Sequence, residues 1–104
     1  MKSRSLFAFL LVVLFPAALM AEDAAAMFNS RCAPCHAKDG SGKTPMGKKI
    51  GAKALGSAEV QKLSDADLAK VISNGKGKMP PFGTKLSPEQ IGELVKLIRS
   101  FAGK

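Results

Sequence analysis

The sequence of 104 residues contains neither tryptophan nor tyrosine, so no indole or phenol group in it can donate a hydrogen bond. It has only two cysteines and one histidine. A structural zinc site needs four ligands, so this set is too small for one. Acidic residues are also scarce, because eight Asp and Glu stand against sixteen Lys and Arg, which gives a formal net charge of +8.

The three rare side chains all fall in one pentapeptide, Cys32-Ala33-Pro34-Cys35-His36. On one turn of helix, both sulfurs can form thioethers to porphyrin vinyl groups, and His36 then faces the iron as an axial ligand. A thioredoxin-like redox pair would need the strands of a βαβ unit, and a Cys32–Cys35 disulfide would leave His36 unexplained. The motif predicts one covalently bound haem c held by Cys32, Cys35 and His36.

Residues 1–21 are typical of a secretory signal peptide. Lys2 and Arg4 form a basic start, residues 6–15 are an uninterrupted apolar run, and small residues follow Pro16 up to Ala21. The alternative is an uncleaved membrane anchor, but the apolar stretch is shorter than the about 20 residues that span a bilayer. We therefore expect cleavage near Ala21, export to the periplasm and no stable membrane insertion afterwards.

Residues 22–104 then form a single domain that is small for a hydrophobic core, and a haem would add apolar bulk to it. The surface of this domain is basic. Nucleic acid explains a basic surface poorly in the periplasm, whereas acidic protein surfaces or anionic lipid headgroups explain it well. One small basic domain is expected to be a monomer.

The apolar periodicity predicts helices separated by glycine-containing loops. One helix begins at Ser87-Pro88-Glu89-Gln90, a capping-box pattern, and ends at Gly103. Its apolar stripe is Ile91, Leu94, Val95, Ile98 and Phe101. A second helix runs from Ser64 to Gly75, and a third covers about 23–31 and presents Met27 and Phe28. Because no strand alternation is visible, the fold class is all-α.

These segments together resemble a known family, the class I monohaem c-type cytochromes, which are small bacterial electron carriers. The resemblance extends over the mature chain and is carried by Cys32–His36, by residues 63–68, by residues 74–82 and by the terminal helix. It implies the cytochrome c fold, in which the N- and C-terminal helices cross and a middle helix and loops wrap the haem. Phe28 would then meet Leu94, Val95 and Ile98 at the crossing.

The second axial ligand has to come from among five methionines. Met1 and Met20 belong to the signal peptide and Met27 lies on the helix before the attachment motif, which leaves Met46 and Met79 in loops. Met79 is the better candidate, because Gly75 and Gly77 allow unusual backbone angles beside it and the following prolines stiffen the chain. The Gly-Lys-Met-Pro stretch also resembles the family closely, while Met46 stays the alternative.

Ligation by His36 and Met79 would occupy both axial positions of the iron, so no substrate could bind there. The expected function is a soluble periplasmic one-electron carrier and not an enzyme. An alternative is a haem enzyme or gas sensor whose methionine ligand is labile or absent. A third possibility is a dedicated subunit held against one dehydrogenase.

Two supporting features follow from the resemblance. In related cytochromes a loop proline carbonyl accepts the second ring hydrogen of the ligating histidine, and Pro45 stands at about the expected distance; the alternative is a simple turn proline. Many relatives use Trp or Tyr to bind the haem propionates, and Leu97 stands where the last helix often has an aromatic residue. Asn74, lysines or backbone N–H groups would have to replace those donors here.

Lysines cluster in the segments expected to flank the haem edge: Lys43, Lys48, Lys49, Lys53, Lys76, Lys78 and Lys85. They predict a docking ring for acidic redox proteins, such as a membrane-bound donor complex, a terminal oxidase, a reductase or a photosynthetic acceptor. The alternative is that exposed loops are simply rich in lysine. Pro81 and Phe82 are expected to give the ring an apolar centre.

Overall fold

The computed structural model describes residues 24–104, so the expected signal peptide and its cleavage near Ala21 lie outside the described residues. The chain is helical from residue 24 to His36, and we call this segment α1. Four further helices follow: α2 (Pro45–Ile50), α3 (Ala58–Gln61), α4 (Asp65–Asn74) and α5 (Pro88–Ser100). Residues 24–104 contain no β-strand, only an isolated bridge between Lys76 and Met79, which confirms the all-α prediction.

Helix α1 runs through the attachment motif instead of ending before it. Its middle is a π-helical turn, Phe28–Cys32, followed by an α-helical turn, Ala33–His36. Wider turns of this kind are often found at functional sites. Ala37 ends the helix with a φ of 65°, in the left-handed region that residues other than glycine seldom adopt.

The two short helices α2 and α3 were not predicted. Each begins at a side-chain cap: Thr44 Oγ1 accepts a hydrogen bond from Gly47 N at 2.8 Å, and Ser57 Oγ accepts one from Val60 N at 3.3 Å. Helices of six and four residues are too short to show an apolar period, so only their capping residues could have indicated them.

The two longer predicted helices are confirmed. Ser64 Oγ caps α4 by accepting from Asp67 N at 3.0 Å. Ser87 and Gln90 form the predicted reciprocal capping box at the start of α5. Helix α5 ends at Ser100, slightly before the predicted end at Gly103. The helices α4 and α5 pack against each other.

The core is one cluster of buried apolar side chains to which both α1 and α5 contribute. Phe28 and Leu94 are each only 2% exposed, and both belong to one cluster with Val95 and Ile98. The rings of Phe28 and Phe101 lie 5.3 Å apart, tilted by 45°, which is a favourable aromatic arrangement. Phe28 of α1 therefore packs against Phe101 at the end of α5 and shares one core cluster with the residues that the resemblance placed at the helix crossing. Within the described range, no helix is long and apolar enough to cross a membrane.

Candidate functional site

Three of the predicted haem residues line one small, partly open cavity. Cys32 and His36 contribute from α1, and Met79 contributes from the loop after α4. The other side chains of the lining are apolar: Phe28, Leu55, Ile72, Leu94 and Ile98. The fold thus brings residues 32, 36 and 79 together, although more than forty positions separate His36 from Met79 in the sequence.

The two cysteines are free thiols, and they differ in their surroundings. Burial raises the pKa of the Cys32 thiol to about 11, and the neighbouring Arg31 guanidinium offsets this only in part. Without a thioether, Cys32 is therefore a neutral thiol at pH 7. Cys35 is half-buried and does not contribute to the cavity lining.

His36 is oriented by the backbone of a distant loop. Its Nδ1 atom lies 3.1 Å from the carbonyl oxygen of Lys53. A carbonyl only accepts, so Nδ1 carries the hydrogen and Nε2 keeps a lone pair for a metal. Metal-binding histidines are characteristically held in this way, with the other ring nitrogen donating to a fixed acceptor.

The expectation that Pro45 supplies this acceptor was wrong. Pro45 is exposed and takes the first position of α2, where its fixed φ favours the start of a helix. The acceptor, Lys53, follows His36 by 17 positions. The chain completes α2 and turns back, with Ala52 N donating to Gly47 O at 2.8 Å, before it reaches the imidazole.

Glycines allow the Lys53 segment to approach His36. A Cβ atom on Gly42 would lie 2.6 Å from the carbonyl oxygen of Ala52, and the φ of Gly42 is +74°. The next turn is fixed by a hydrogen bond of 2.7 Å from Leu55 N to Gly40 O. Any side chain at Gly42 would therefore push residues 52 and 53 away.

Residues at the start of α2 contact the backbone of the attachment motif. Thr44 Oγ1 lies 2.8 Å from the carbonyl of Pro34 and 3.1 Å from that of Cys35, which are among the last carbonyls of α1. Gly47 packs so closely that a Cβ atom there would collide with the Cys35 carbonyl oxygen. The roles of Thr44 and Gly47 were not predicted from the sequence, in which the only signal was the Thr-Pro start of a helix.

Met79 lies in a loop that is tied to the end of α4. Phe82 N donates to Ile72 O at 2.9 Å, and Lys76 and Met79 exchange backbone hydrogen bonds of 3.1 and 2.9 Å. Gly75 has a φ of +75°, and a Cβ atom there would lie 2.6 Å from the Met79 carbonyl oxygen. Met79 is half-buried at the cavity, whereas Met46 is 49% exposed on α2 and does not line it.

A hydrogen-bond network of Gln61 and Arg99 joins two segments that line the cavity. Gln61 Nε2 donates to the carbonyls of Leu55 and Ile98, at 2.7 and 2.9 Å, and both of these residues line the cavity. Arg99 holds Gln61 in turn, because its Nη1 donates to Gln61 O at 2.8 Å. The other guanidinium nitrogens of Arg99 donate to Leu63 O and to the Asp65 carboxylate. Nothing in the sequence pattern indicated this network.

The seven lysines of the predicted ring are all exposed. Lys53 forms an ion pair of 3.2 Å with Glu59. Phe82 is buried beneath Lys85, whose Nζ lies 6.0 Å from the ring centroid. Phe82 therefore cannot be the exposed apolar centre that the sequence suggested, and only Pro81 of that pair is exposed.

These residues fit a covalently bound haem by their chemistry. The site offers two free thiols, an imidazole whose Nε2 is available, a thioether and otherwise apolar side chains. A porphyrin is far larger than the cavity volume of about 30 Å³, so the fit rests on these donors and not on the cavity size.

Comparison with known proteins gives relatives of the same kind. Residues 20–98 match the family described as cytochrome c oxidase, cbb3-type, subunit III. Cytochrome c6 of Leptolyngbya boryana is 39% identical, and the match covers 79% of this chain and 96% of the relative. Cytochrome c6 of Rippkaea orientalis is 38% identical, with 82% of this chain and 76% of the relative covered.

A solved structure supports the same assignment. The KustC0563 c-type cytochrome has a TM-score of 0.70 and 34% sequence identity, over 76% of this chain and 96% of its own. The cbb3-type oxidase subunit FixP of Rhizobium etli is 32% identical over 74% of this chain, but that match spans only 26% of FixP. Fold, donor set and relatives agree: the chain belongs to the family of small monohaem c-type cytochromes.

Proposed function

We propose that this protein is an exported one-electron carrier with a haem held by Cys32, Cys35, His36 and Met79. The observation that carries the proposal is the meeting of Cys32, His36 and Met79 at one apolar cavity. The relatives named cytochrome c6 support electron carriage, because they match this chain over most of its length. The haem, when bound, supplies an iron that alternates between the ferric and ferrous states.

The residues of the chain would bind that iron and set the relative stability of its two oxidation states. The Nδ1–H group of His36 is fixed by the Lys53 carbonyl, so Nε2 is presented in one orientation. The Met79 thioether favours the ferrous state, and the apolar lining disfavours the additional charge of the ferric state. If His36 and Met79 both held the iron, no position would be open for a substrate, and the protein would carry an electron without transforming a substrate.

The location and partners follow from the sequence. The signal-like segment 1–21 supports export to the periplasm, and the exposed lysines support association with acidic redox proteins. A membrane-bound donor, an oxidase, a reductase or a photosynthetic acceptor would each fit that chemistry. The similarity to an oxidase subunit supports an oxidase among these partners. The working unit is a monomer.

The test is the absorption spectrum of the haem-loaded protein in both oxidation states, followed by carbon monoxide added to the ferrous form. We expect a low-spin spectrum with the weak far-red sulfur-to-iron band and no change with carbon monoxide. High-spin iron or ready binding of carbon monoxide would overturn the proposal and indicate an enzyme or gas sensor.

A further inference from the structure

An open groove runs between the helices α4 and α5. Its volume is about 550 Å³, and its lining is mainly apolar. Three small residues line it, Ala66 and Ala69 from α4 and Gly92 from α5, and so do the carboxylates of Asp65, Glu89 and Glu93. We call this surface the α4–α5 groove. It shares no lining residue with the cavity of the proposed haem ligands.

The small residues keep the α4–α5 groove wide. A Cβ atom on Gly92 would have no heavy atom within 4 Å, and both Ala66 and Gly92 are exposed. Small side chains at the contact allow helices to approach closely. A groove between two helices therefore fits a third helix that presents a stripe of small or apolar side chains.

The charge of α4 and α5 differs in sign from that of the rest of the chain. These two helices carry four carboxylates, Asp65, Asp67, Glu89 and Glu93, against three basic side chains. The rest of residues 24–104 carries two carboxylates and eleven basic side chains. The face that contains the α4–α5 groove is thus slightly negative on a strongly basic protein. It complements a cationic partner and repels anionic lipids and acidic proteins.

The basic side chains of the α4–α5 groove are already engaged. The Arg99 guanidinium donates to Gln61 O, to Leu63 O and to the Asp65 carboxylate, so it is not a free cation. Lys96 pairs with Glu93 at 3.1 Å. Glu89 is exposed and forms no ion pair within the described range, 24–104. A cation from a partner would therefore meet a carboxylate that no side chain of this range neutralises.

The α4–α5 groove and the proposed haem site lie on opposite faces of α5. Gly92 lines the groove and Leu94 lines the cavity, and residues two positions apart in an α-helix point in nearly opposite directions. Met79 also lines the cavity and not the groove. A partner bound in the groove would leave the Met79 loop uncovered.

We propose that the α4–α5 groove binds a basic helical segment of a partner protein. The small or apolar stripe of that segment contacts Ala66, Ala69 and Gly92, and its lysines or arginines face the groove carboxylates, above all Glu89. The contact anchors the protein to its partner while the opposite face of α5 stays with the haem. This anchoring goes beyond the proposed function and does not depend on which residues bind the iron.

The experiment uses a synthetic helical peptide of alanine and lysine as the probe, with the lysines at every third and fourth position so that they share one side of the helix. The peptide carries a fluorescent label at one end, and its anisotropy during titration with the haem-loaded protein gives the Kd. The formal net charge of +8 repels this peptide over most of the surface, so binding indicates a specific acidic site. A second peptide with glutamate in place of lysine reports attraction to the basic faces.

Two variants fill the α4–α5 groove from its two sides, Gly92→Leu on α5 and Ala66→Leu on α4. Leucine favours helix more than glycine does, and Ala66 is exposed, so both variants should fold. Each should raise the Kd of the lysine peptide about ten-fold or more. The control is Ala26→Leu, which adds the same bulk at an exposed position of α1 outside the groove and should leave the Kd unchanged.

The charge is tested by Glu89→Gln, which should raise the Kd of the lysine peptide about three-fold at low salt and by less at high salt. Its control is Glu59→Gln, which removes the same charge from α3 and should change the Kd little. None of these variants should alter the Kd of the glutamate peptide by more than its change in net charge explains.

Three results would overturn the anchoring proposal. The lysine peptide could fail to bind, or its Kd could stay the same in both groove-filling variants, or the control variants could weaken binding as much as the groove variants do. Sedimentation equilibrium without peptide tests for another occupant: self-association that disappears in Gly92→Leu would assign the groove to a second copy of the chain, against the proposal. Failure of the proposed function appears separately, as carbon monoxide binding by the ferrous wild type, and leaves the peptide titration unaffected.

Discussion

The Nδ1 atom of His36 donates its hydrogen to the backbone carbonyl of Lys53, at 3.1 Å. Because the acceptor belongs to the main chain, the side chain at position 53 does not determine the bond. The path of the chain determines it, and that path depends on the close approach of Gly42 to Ala52. The orientation of the proposed iron ligand is therefore controlled by a loop that contains no ligand itself.

Changing Gly42 to Ala should raise the reduction potential of the haem-loaded protein. The new Cβ would lie 2.6 Å from the Ala52 carbonyl oxygen and would displace the Lys53 segment from His36. A weaker hydrogen bond from Nδ1–H to the Lys53 carbonyl makes Nε2 a poorer electron-pair donor to the iron, and this destabilises the ferric state. Spectroelectrochemical titration measures the shift.

The matched controls for this prediction are Pro45→Ala and Lys53→Arg, which keeps the charge at position 53. Both leave the Lys53 carbonyl in place, so their potentials should equal that of the wild type. A shift in Pro45→Ala as large as that in Gly42→Ala would contradict the assignment of Lys53 as the acceptor.

Glycine substitutions in two helices should have opposite effects on stability. Gly47 in α2 packs against the Cys35 carbonyl, so Gly47→Ala should lower the free energy of unfolding by about 1–3 kcal/mol through overpacking. Gly92 in α5 has open space around it, so Gly92→Ala should raise it by about 0.5–1 kcal/mol through helix propensity. Denaturant unfolding of the haem-loaded variants, followed by far-UV circular dichroism, measures both changes. A Gly47→Ala variant at least as stable as the wild type would refute the contact at Gly47.

Replacing Thr44 by Val should destabilise the attachment motif. The substitution keeps the shape of the side chain but removes the hydroxyl that meets the Pro34 and Cys35 carbonyls and caps α2. The expected loss in the free energy of unfolding is about 1–3 kcal/mol. Thr44→Ser keeps the hydroxyl and should lose clearly less. The same unfolding assay decides, and a Thr44→Val variant that loses no more stability than Thr44→Ser would contradict the role of the hydrogen bonds.

The sequence was sufficient to predict features whose signals lie within a few neighbouring residues. The capping residues Ser64 and Ser87 and the apolar stripe of α5 predicted two helices, because a cap and its helix lie within a few residues of each other. The pentapeptide 32–36 likewise contains three of the predicted haem residues in one turn. The glycines and prolines around Met79 favoured it as the proposed ligand, and the structure places it at the cavity with Cys32 and His36.

The sequence was insufficient where distant backbone segments meet. The His36 acceptor is a carbonyl, which every residue has, so no residue type marks Lys53. Gln61 and Arg99 similarly bind main-chain oxygens that are far away in sequence. Phe82 was wrongly expected at the surface, because a residue in a proline-rich loop shows no period from which its burial can be read.

The network of Gln61 and Arg99 should contribute to stability more than an exposed ion pair does. Gln61→Leu would leave the Leu55 and Ile98 carbonyls without this donor, and a loss of about 1–3 kcal/mol is expected for unsatisfied groups of this kind. Arg99→Met should cost a similar amount. Lys96→Met is the control, because its pair with Glu93 is on the surface and should contribute less than about 1 kcal/mol. Chemical denaturation measures the free energy of unfolding of all three variants. A loss in Arg99→Met no larger than that in Lys96→Met would contradict the stabilising role of the network.

Replacing Met79 by Ala should open the proposed iron site while the covalent haem stays attached. Met79 lines the cavity with Cys32 and His36, and the thioethers do not depend on it. Loss of the thioether should lower the potential, because the ferrous state loses its stabilising ligand, and it should allow carbon monoxide to bind. Met46→Ala is the matched control, since Met46 is exposed and outside the cavity, and its spectrum should equal that of the wild type. If the far-red band survived in Met79→Ala and vanished in Met46→Ala, the ligand would be Met46, and α2 would have to move to reach the iron.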